Sequence, residues 1–292
     1  MNRELLSIAK IKKRKIALSK HQTETIIVTG ASSGIGREVA LQFAVEGAQL
    51  ILIARRKQLL EEVATEVEQL GGKALAIPID VSNREQVESA VRLIDERYGK
   101  IDVLVNNAGY GVYGTVESCL PEDFEGQIKV NYLGAVYLTK AVLPIMRRQK
   151  TGAIINISSI CGKVVTPLDS GYCASKFALN AFTTILRKEM EGSGVSVSLV
   201  CPGFTETNWE SAVVQRHGRS LRRILPSMSS ERVARAIVSC VNKPKAELII
   251  PNMLRLQVLG QFVSPRFYEW FYFKFRGPRQ SATENNQGEP ND

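Results

Sequence analysis

From residue 25 onward, short apolar runs rich in β-branched residues alternate with longer stretches whose apolar positions recur every three to four residues. The runs occupy residues 25–29, 49–54, 74–79, 103–105, 153–157, 195–200 and 247–250, and the helical stretches 35–46, 57–70, 84–98, 121–148, 175–191 and 230–241. Strands apolar on both faces and separated by helices predict a parallel sheet covered on each side. The expected architecture is a single-domain, doubly wound α/β fold with a mostly parallel sheet of about seven strands. Two stretches break the pattern. Residues 208–229 are polar and irregular, carry Trp209, His217 and four arginines, and fall where such folds insert a flap over a ligand. Residues 280–292 lack large apolar side chains and predict a disordered tail.

Composition adds exclusions. With 44% hydrophobic and 23% charged residues in 292, the chain can bury a core, which rules out a disordered, collagen-like or disulfide-stapled chain. The five cysteines form no CxxC pair and only His21 and His217 are histidines, so neither a disulfide framework nor a metal site is expected. No stretch of 18 apolar residues exists and the N-terminus lacks a secretory signal, which reads as a cytoplasmic chain that does not span a membrane. The net charge of +9 suggests a nucleic-acid partner until it is located. Residues 1–20 carry seven basic side chains against Glu4, which is +6, and leave only +3 for the rest. The basic character belongs to an N-terminal arm, residues 1–22, and no nucleic-acid partner is expected. Three readings of the arm stay open: a solvated tail, an organelle targeting peptide, or a peripheral membrane anchor facing lipid with Leu5, Leu6, Ile8, Ile11 and Ile16.

The first run leads into Thr29-Gly30-Ala31-Ser32-Ser33-Gly34-Ile35-Gly36 and then a helix. Glycines let the backbone turn sharply and approach a pyrophosphate, while the helix N-terminus offers unpaired N–H groups and the positive end of its dipole. Strand, glycine turn and helix together make a dinucleotide pocket, although tight turns use glycine for other reasons too.

The spacing TGxxxGIG resembles the short-chain dehydrogenase/reductase family. Five further motifs agree in order: Asn106-Asn107-Ala108-Gly109, Asn131, Ser159, Tyr172-Cys173-Ala174-Ser175-Lys176, and Pro202-Gly203-Phe204-Thr205-Glu206-Thr207. The resemblance covers about residues 23–250. It implies a Rossmann-like catalytic domain, taken here as residues 23–253, and an NAD(P)-dependent oxidoreductase acting on a small-molecule carbonyl or alcohol. It further implies a catalytic group of Ser159, Tyr172 and Lys176 supported by Asn131. The implied cofactor contacts are Gly30, Ser32, Ser33, Gly34, Ile35 and Gly36 in the turn, Arg55 and Arg56, Asp80 and Val81, then Asn107, Ala108 and Gly109. Pro202, Gly203, Thr205 and Thr207 complete them, with Tyr172 and Lys176 serving both roles. Asp80 would hydrogen-bond adenine and Thr207 the nicotinamide carboxamide; Thr205 departs from the small apolar residue usual there.

The residues support this chemistry physically. Tyr172 and Lys176 are four apart on an expected helix and share a face. A free tyrosine ionises near pH 10, and a nearby ammonium, helped by an oxidised nicotinamide ring, favours the phenolate. Ser159 follows a strand at the carboxyl edge of the sheet, where its hydroxyl can bond a substrate carbonyl. It is chosen over Ser158 because the family places its serine thirteen residues before the tyrosine. Asn131 lies within the expected helix 121–148, a mediocre place for asparagine, and the resemblance gives it a water-holding role in a proton relay to Lys176.

An NAD-preferring site places a carboxylate at the end of the second strand to bind the ribose. Here that strand ends Ala54-Arg55-Arg56, with no carboxylate to repel a 2′-phosphate and two guanidiniums to attract one. NADP(H) is therefore the preferred cofactor and NAD(H) the alternative, on the strength chiefly of Arg55, with Arg56 open to a merely solvated role.

Eight of the chain's twenty aromatics lie between Phe262 and Phe275, with Arg266, Lys274 and Arg276 around them. This segment, residues 254–279, reads as a helix packed on the core, as the wall of an apolar pocket, as a membrane-interface element or as an oligomer contact. An apolar, lipid- or steroid-like substrate follows as the extension of that reading, and relatives of this kind commonly form dimers or tetramers. The competing reading is a cofactor-binding sensor or a membrane-associated interaction protein that catalyses nothing.

Overall fold

The computed structural model describes residue 21 and residues 23–206, 213–216 and 227–276, the last six of these as backbone only. The basic arm, most of the flap with Trp209 and His217, Thr207 and the tail lie outside the described residues. Seven strands form one parallel sheet: β1 (Thr25–Thr29), β2 (Gln49–Ala54), β3 (Lys73–Pro78), β4 (Val103–Asn106), β5 (Gly152–Ile157), β6 (Val195–Pro202) and β7 (Glu247–Ile250). Their spatial order is β7-β6-β5-β4-β1-β2-β3, so the chain reverses direction across the sheet between β1 and β4, and a crevice opens there at the carboxyl ends of the strands.

Burial explains the order. Alternate residues of each inner strand serve opposite cores: Ile26, Val28, Leu50 and Leu52 face one, and Ile27, Ile51 and Ile53 face the other. The first core is closed by α1 (Gly34–Val45), α2 (Lys57–Gln69) and α7 (Ser230–Asn242). The second is closed by α3 (Arg84–Tyr98), α5 (Gly134–Gln149) and α6 (Ser170–Glu189). Two-sided burial is the physical content of the uninterrupted apolar runs.

Two expected helices differ from the sequence pattern. The stretch read as one helix over 121–148 is α4 (Pro121–Ile128), a π-helical turn (Lys129–Leu133) and α5. In that turn the Gly134 N–H reaches the Lys129 carbonyl, five residues back. The helix expected from residue 175 begins at Ser170 instead. Gly171 stands against Gln127 and Phe124 of α4, where a Cβ would fall 3.2 Å from the phenylalanine ring, so tertiary packing sets the start of α6 and places Tyr172 in its first turn. The C-terminal segment resolves into α8 (Leu254–Val263) and α9 (Pro265–Arg276), broken at Ser264.

Candidate active site

The carboxyl ends of β1, β2, β4, β5 and β6 surround a cleft of about 1260 Å³. Its nucleotide end is built from backbone. The Thr29 hydroxyl at the end of β1 accepts the N–H groups of Asn107 and Ala108, each at 2.9 Å. Asn107 Nδ2 returns a hydrogen bond to the Thr29 carbonyl at 2.9 Å. This reciprocal tie fixes the two loops that face each other across the switch point. Gly30 holds a left-handed φ of 63°, and a Cβ on Gly36 would collide with the Gly30 carbonyl and stand 2.6 Å from Asn107 Nδ2. Gly36 is buried beneath the turn and does not line the cleft. Its packing role is plain, because helix α1 lies directly against the loop.

The other expected turn residues, Gly30, Ser32, Ser33, Gly34 and Ile35, do line the cleft. Ser33 precedes α1 without capping it through its side chain, so first-turn N–H groups remain for a phosphate. Arg55 and Arg56 line the same wall in different ways. Arg56 Nη2 donates to the hydroxyls of Ser32 (2.9 Å) and Ser33 (2.6 Å), whereas the exposed Arg55 stands 3.8 Å from an Asp80 carboxylate oxygen. The guanidinium left open to a merely solvated role is the one fastened to the glycine turn. Asp80 lies two residues beyond β3, and its Oδ1 accepts from the Ser82 backbone N–H and hydroxyl. Val81, Asn107, Ala108 and Gly109 line the cleft.

At the other end, Ser159, Tyr172 and Lys176 converge on one wall. Ser159 follows β5 and accepts the Cys161 N–H at 3.1 Å, starting a single 3-10 turn (Ile160–Gly162). Ser158 turns instead to the Lys176 carbonyl. Tyr172 is buried, and the Lys176 ammonium sits 5.7 Å from its ring centre, within cation–π range. Lys176 Nζ donates to the Ile157 carbonyl at 2.9 Å. Loss of hydration on burial pulls this ammonium down from about 10.5 to about 8. Pro202, Gly203 and Thr205 form the rim, with the Thr205 hydroxyl donating to the Gly203 carbonyl at 3.0 Å.

Asn131 is buried in the π turn and does not line the cleft. Its side chain clamps the backbone of Tyr110, accepting its N–H at 2.9 Å and donating to its carbonyl at 2.8 Å. Nδ2 also donates to the Ser175 hydroxyl at 3.0 Å. A Cβ on Gly109 would lie 3.1 Å from Asn131 Oδ1 and 3.5 Å from Lys176 Nζ, so both side chains flank that backbone.

Several wall residues escaped the sequence reading: Ser82, Tyr110, Lys129, Cys161 and Glu206. Burial pushes the Tyr110 phenol upward. Tyr110 directly follows the NNAG motif, a signal available in the sequence; Lys129 and Cys161 carry none. The flap is tied down in two described places. Thr205–Glu206 pairs with Met228–Ser229, and Val214–Gln215 pairs with Val112–Tyr113. Beside the second, Arg216 makes a two-pronged ion pair with the buried Asp123 at 2.8 and 2.9 Å, and this guanidinium holds the Asp123 carboxyl below its ordinary range.

Comparison with known proteins agrees with this geometry. The family model for short chain dehydrogenase matches residues 24–218. The chain is 33% identical over 258 residues to the ketoacyl reductase HetN of a Nostoc species, covering 85% of this chain and 89% of that one. It is 30% identical over 239 residues to mouse 17-beta-hydroxysteroid dehydrogenase 13, covering 81% and 76%. Among solved structures, the alcohol dehydrogenase of the archaeon Thermococcus sibiricus, complexed with 5-hydroxy-NADP, superposes with a TM-score of 0.69 at 29% identity, over 78% of this chain and 95% of that one. With the glycine turn, the NNAG loop and the Ser-Tyr-Lys wall assembled around one crevice, the chain belongs to the short-chain dehydrogenase/reductase family of oxidoreductases.

Proposed function

We propose that this protein transfers hydride between NADP(H) and the carbonyl carbon of an apolar ketone or aldehyde, working in the direction of reduction. The observation that carries the reading is the buried Lys176 ammonium 5.7 Å from the Tyr172 ring on the wall of the cleft. When bound, the reduced nicotinamide supplies the hydride. The Tyr172 phenol gives its proton to the carbonyl oxygen as charge develops there, and the nearby cation makes the resulting phenolate tolerable. The Ser159 hydroxyl donates a hydrogen bond to the same oxygen. An ammonium has three N–H donors; the Ile157 carbonyl takes one of those on Lys176, and the others are free to hold ribose hydroxyls. Asn131 keeps the Tyr110 backbone and Ser175 in place, and both it and Lys176 flank Gly109, which supports a proton relay through water to Lys176.

Preference for NADP(H) over NAD(H) rests on Arg55 and Arg56, two guanidiniums where an NAD site has a carboxylate. Arg56 is already oriented by Ser32 and Ser33. The solved relative bound to an NADP derivative supports the same preference. Relatives named for ketoacyl and hydroxysteroid chemistry support an apolar substrate. The test is a panel of carbonyl substrates followed by the loss of NADPH absorbance and repeated with NADH. Tyr172→Phe is expected to bind NADPH normally and to lose about 10²- to 10⁴-fold in turnover; unchanged turnover rejects the assignment.

A further inference from the structure

Helices α8 and α9 present two different faces. The inner face is fastened to the rim of the cleft. Leu254 lies so close to Gly203 that a Cβ there would be 2.6 Å from its Cδ1. Gln261 Oε1 accepts the Val165 N–H at 3.1 Å in the loop ahead of α6. Gln257 donates to the Tyr268 hydroxyl at 2.8 Å, and Tyr268 is buried in the cluster that contains Ile160 and Tyr172. The helix pair is thus seated behind the residues proposed to do the chemistry.

The outer face is apolar and open. Met253, Leu256, Phe262, Val263, Phe267 and Trp270 are 73, 74, 86, 72, 63 and 54% exposed. Within α8 the exposed Leu256, Leu259 and Val263 recur at spacings of three and four residues, and within α9 Phe267 and Trp270 are three apart. A contiguous apolar surface of this kind marks a binding face. Charge identifies what it binds. Residues 254–276 carry four basic side chains, Arg255, Arg266, Lys274 and Arg276, against Glu269 alone. Arg255 and Arg266 are exposed beside the apolar residues. A second copy of the chain would bring like charges together around its apolar contact, which opposes self-association. Aromatic and aliphatic residues flanked by arginines instead match a helix lying in a bilayer interface over anionic headgroups. No helix among the described residues is long and apolar enough to cross a membrane, so the contact is with the surface.

We infer that the outer face of α8 and α9 docks on an anionic lipid bilayer and brings the cleft rim to that surface, so that an apolar substrate enters from the lipid. The substrate half of this statement rests on the proposed function; the docking half does not. The test uses the full-length protein with phosphatidylcholine vesicles, with and without phosphatidylserine, in a flotation assay. The protein is expected to float with the anionic vesicles and to bind the neutral ones at least about tenfold more weakly. A Leu256→Glu, Phe262→Glu double variant, checked by circular dichroism for retained fold, is expected to lose at least about tenfold in vesicle affinity. The variant should keep NADPH-dependent turnover of a water-soluble ketone and lose turnover of a long-chain ketone dissolved in the vesicles. Absence of flotation, or equal binding to neutral vesicles, overturns the inference, as does a variant that floats unchanged. A variant that turns a dimer into a monomer, with no vesicle binding by either form, assigns the face to a second copy. Flotation without turnover of any ketone would sink the proposed function and leave the docking intact.

Discussion

The two ends of the cleft are built by different means. The nucleotide end, on β1, β2 and β4, is a backbone device: Thr29 and Asn107 tie the strand ends together, and Gly36 lets α1 touch the turn. The substrate end, on β5, β6 and the segments after them, is made by side chains that meet from distant parts of the chain. Ser159 follows a strand, and Tyr172 and Lys176 come from α6. A dinucleotide presents the same phosphates to any such enzyme, so one backbone arrangement serves; substrates differ, so their end varies through loops and side chains.

Breaking each end separately sharpens the contrast. The largest effect is expected from Lys176→Met, which should lower turnover by about 10²- to 10⁴-fold. It should also alter stability with a defined sign. Burial lowers the Lys176 value from 10.5 to about 8, so between those pH values the unfolded chain holds the proton more than the native one does. Native wild-type protein without cofactor therefore gains up to roughly 3 kcal/mol as pH rises through that window. Subtracting the urea-unfolding free energies of the variant at each pH isolates this gain; parallel curves for the two proteins would refute it. Gly36→Ala attacks the backbone end. With a Cβ driven against Gly30 and Asn107, the protein should lose about 1–3 kcal/mol and its affinity for NADPH, read by unfolding and by nucleotide titration. The smallest effect is expected from Arg216→Ala. It frees the described strand of the flap at little cost in stability, because the guanidinium is partly exposed and screened. Its signature is a higher KM with little change in kcat. Because Arg216 lowers the Asp123 value, the pair's contribution holds at neutral pH and fades as pH falls into the acid range, so variant and wild type should converge there.

What the sequence made legible follows the same division. The bounds of β1, β2, β7 and α3 coincide with the apolar runs and helical periods, since two-sided burial writes itself into consecutive residues. The glycine turn and the NNAG loop were readable because each needs a residue type that few alternatives satisfy. The π turn was not: within it Asn131 bonds Tyr110, 21 residues away. Nor was the start of α6 at Ser170, which depends on Gly171 fitting against α4. The docking of Arg56 on Ser32 and Ser33 joins two loops whose proximity only the strand pairing of β1 with β2 creates. Side-chain contacts across the sheet have no local periodicity to announce them.

At the centre stands the pairing of a phenol with a cation one helical turn away. The direct measurement is an ultraviolet difference titration of tyrosinate formation in the NADP⁺-loaded protein, with Tyr172→Phe as the reference. The account predicts that one of the eight tyrosines ionises at a lower pH than the other seven, and that this early step vanishes in Tyr172→Phe and shifts upward in Lys176→Met. A titration in which wild type and Tyr172→Phe show no early difference would contradict it.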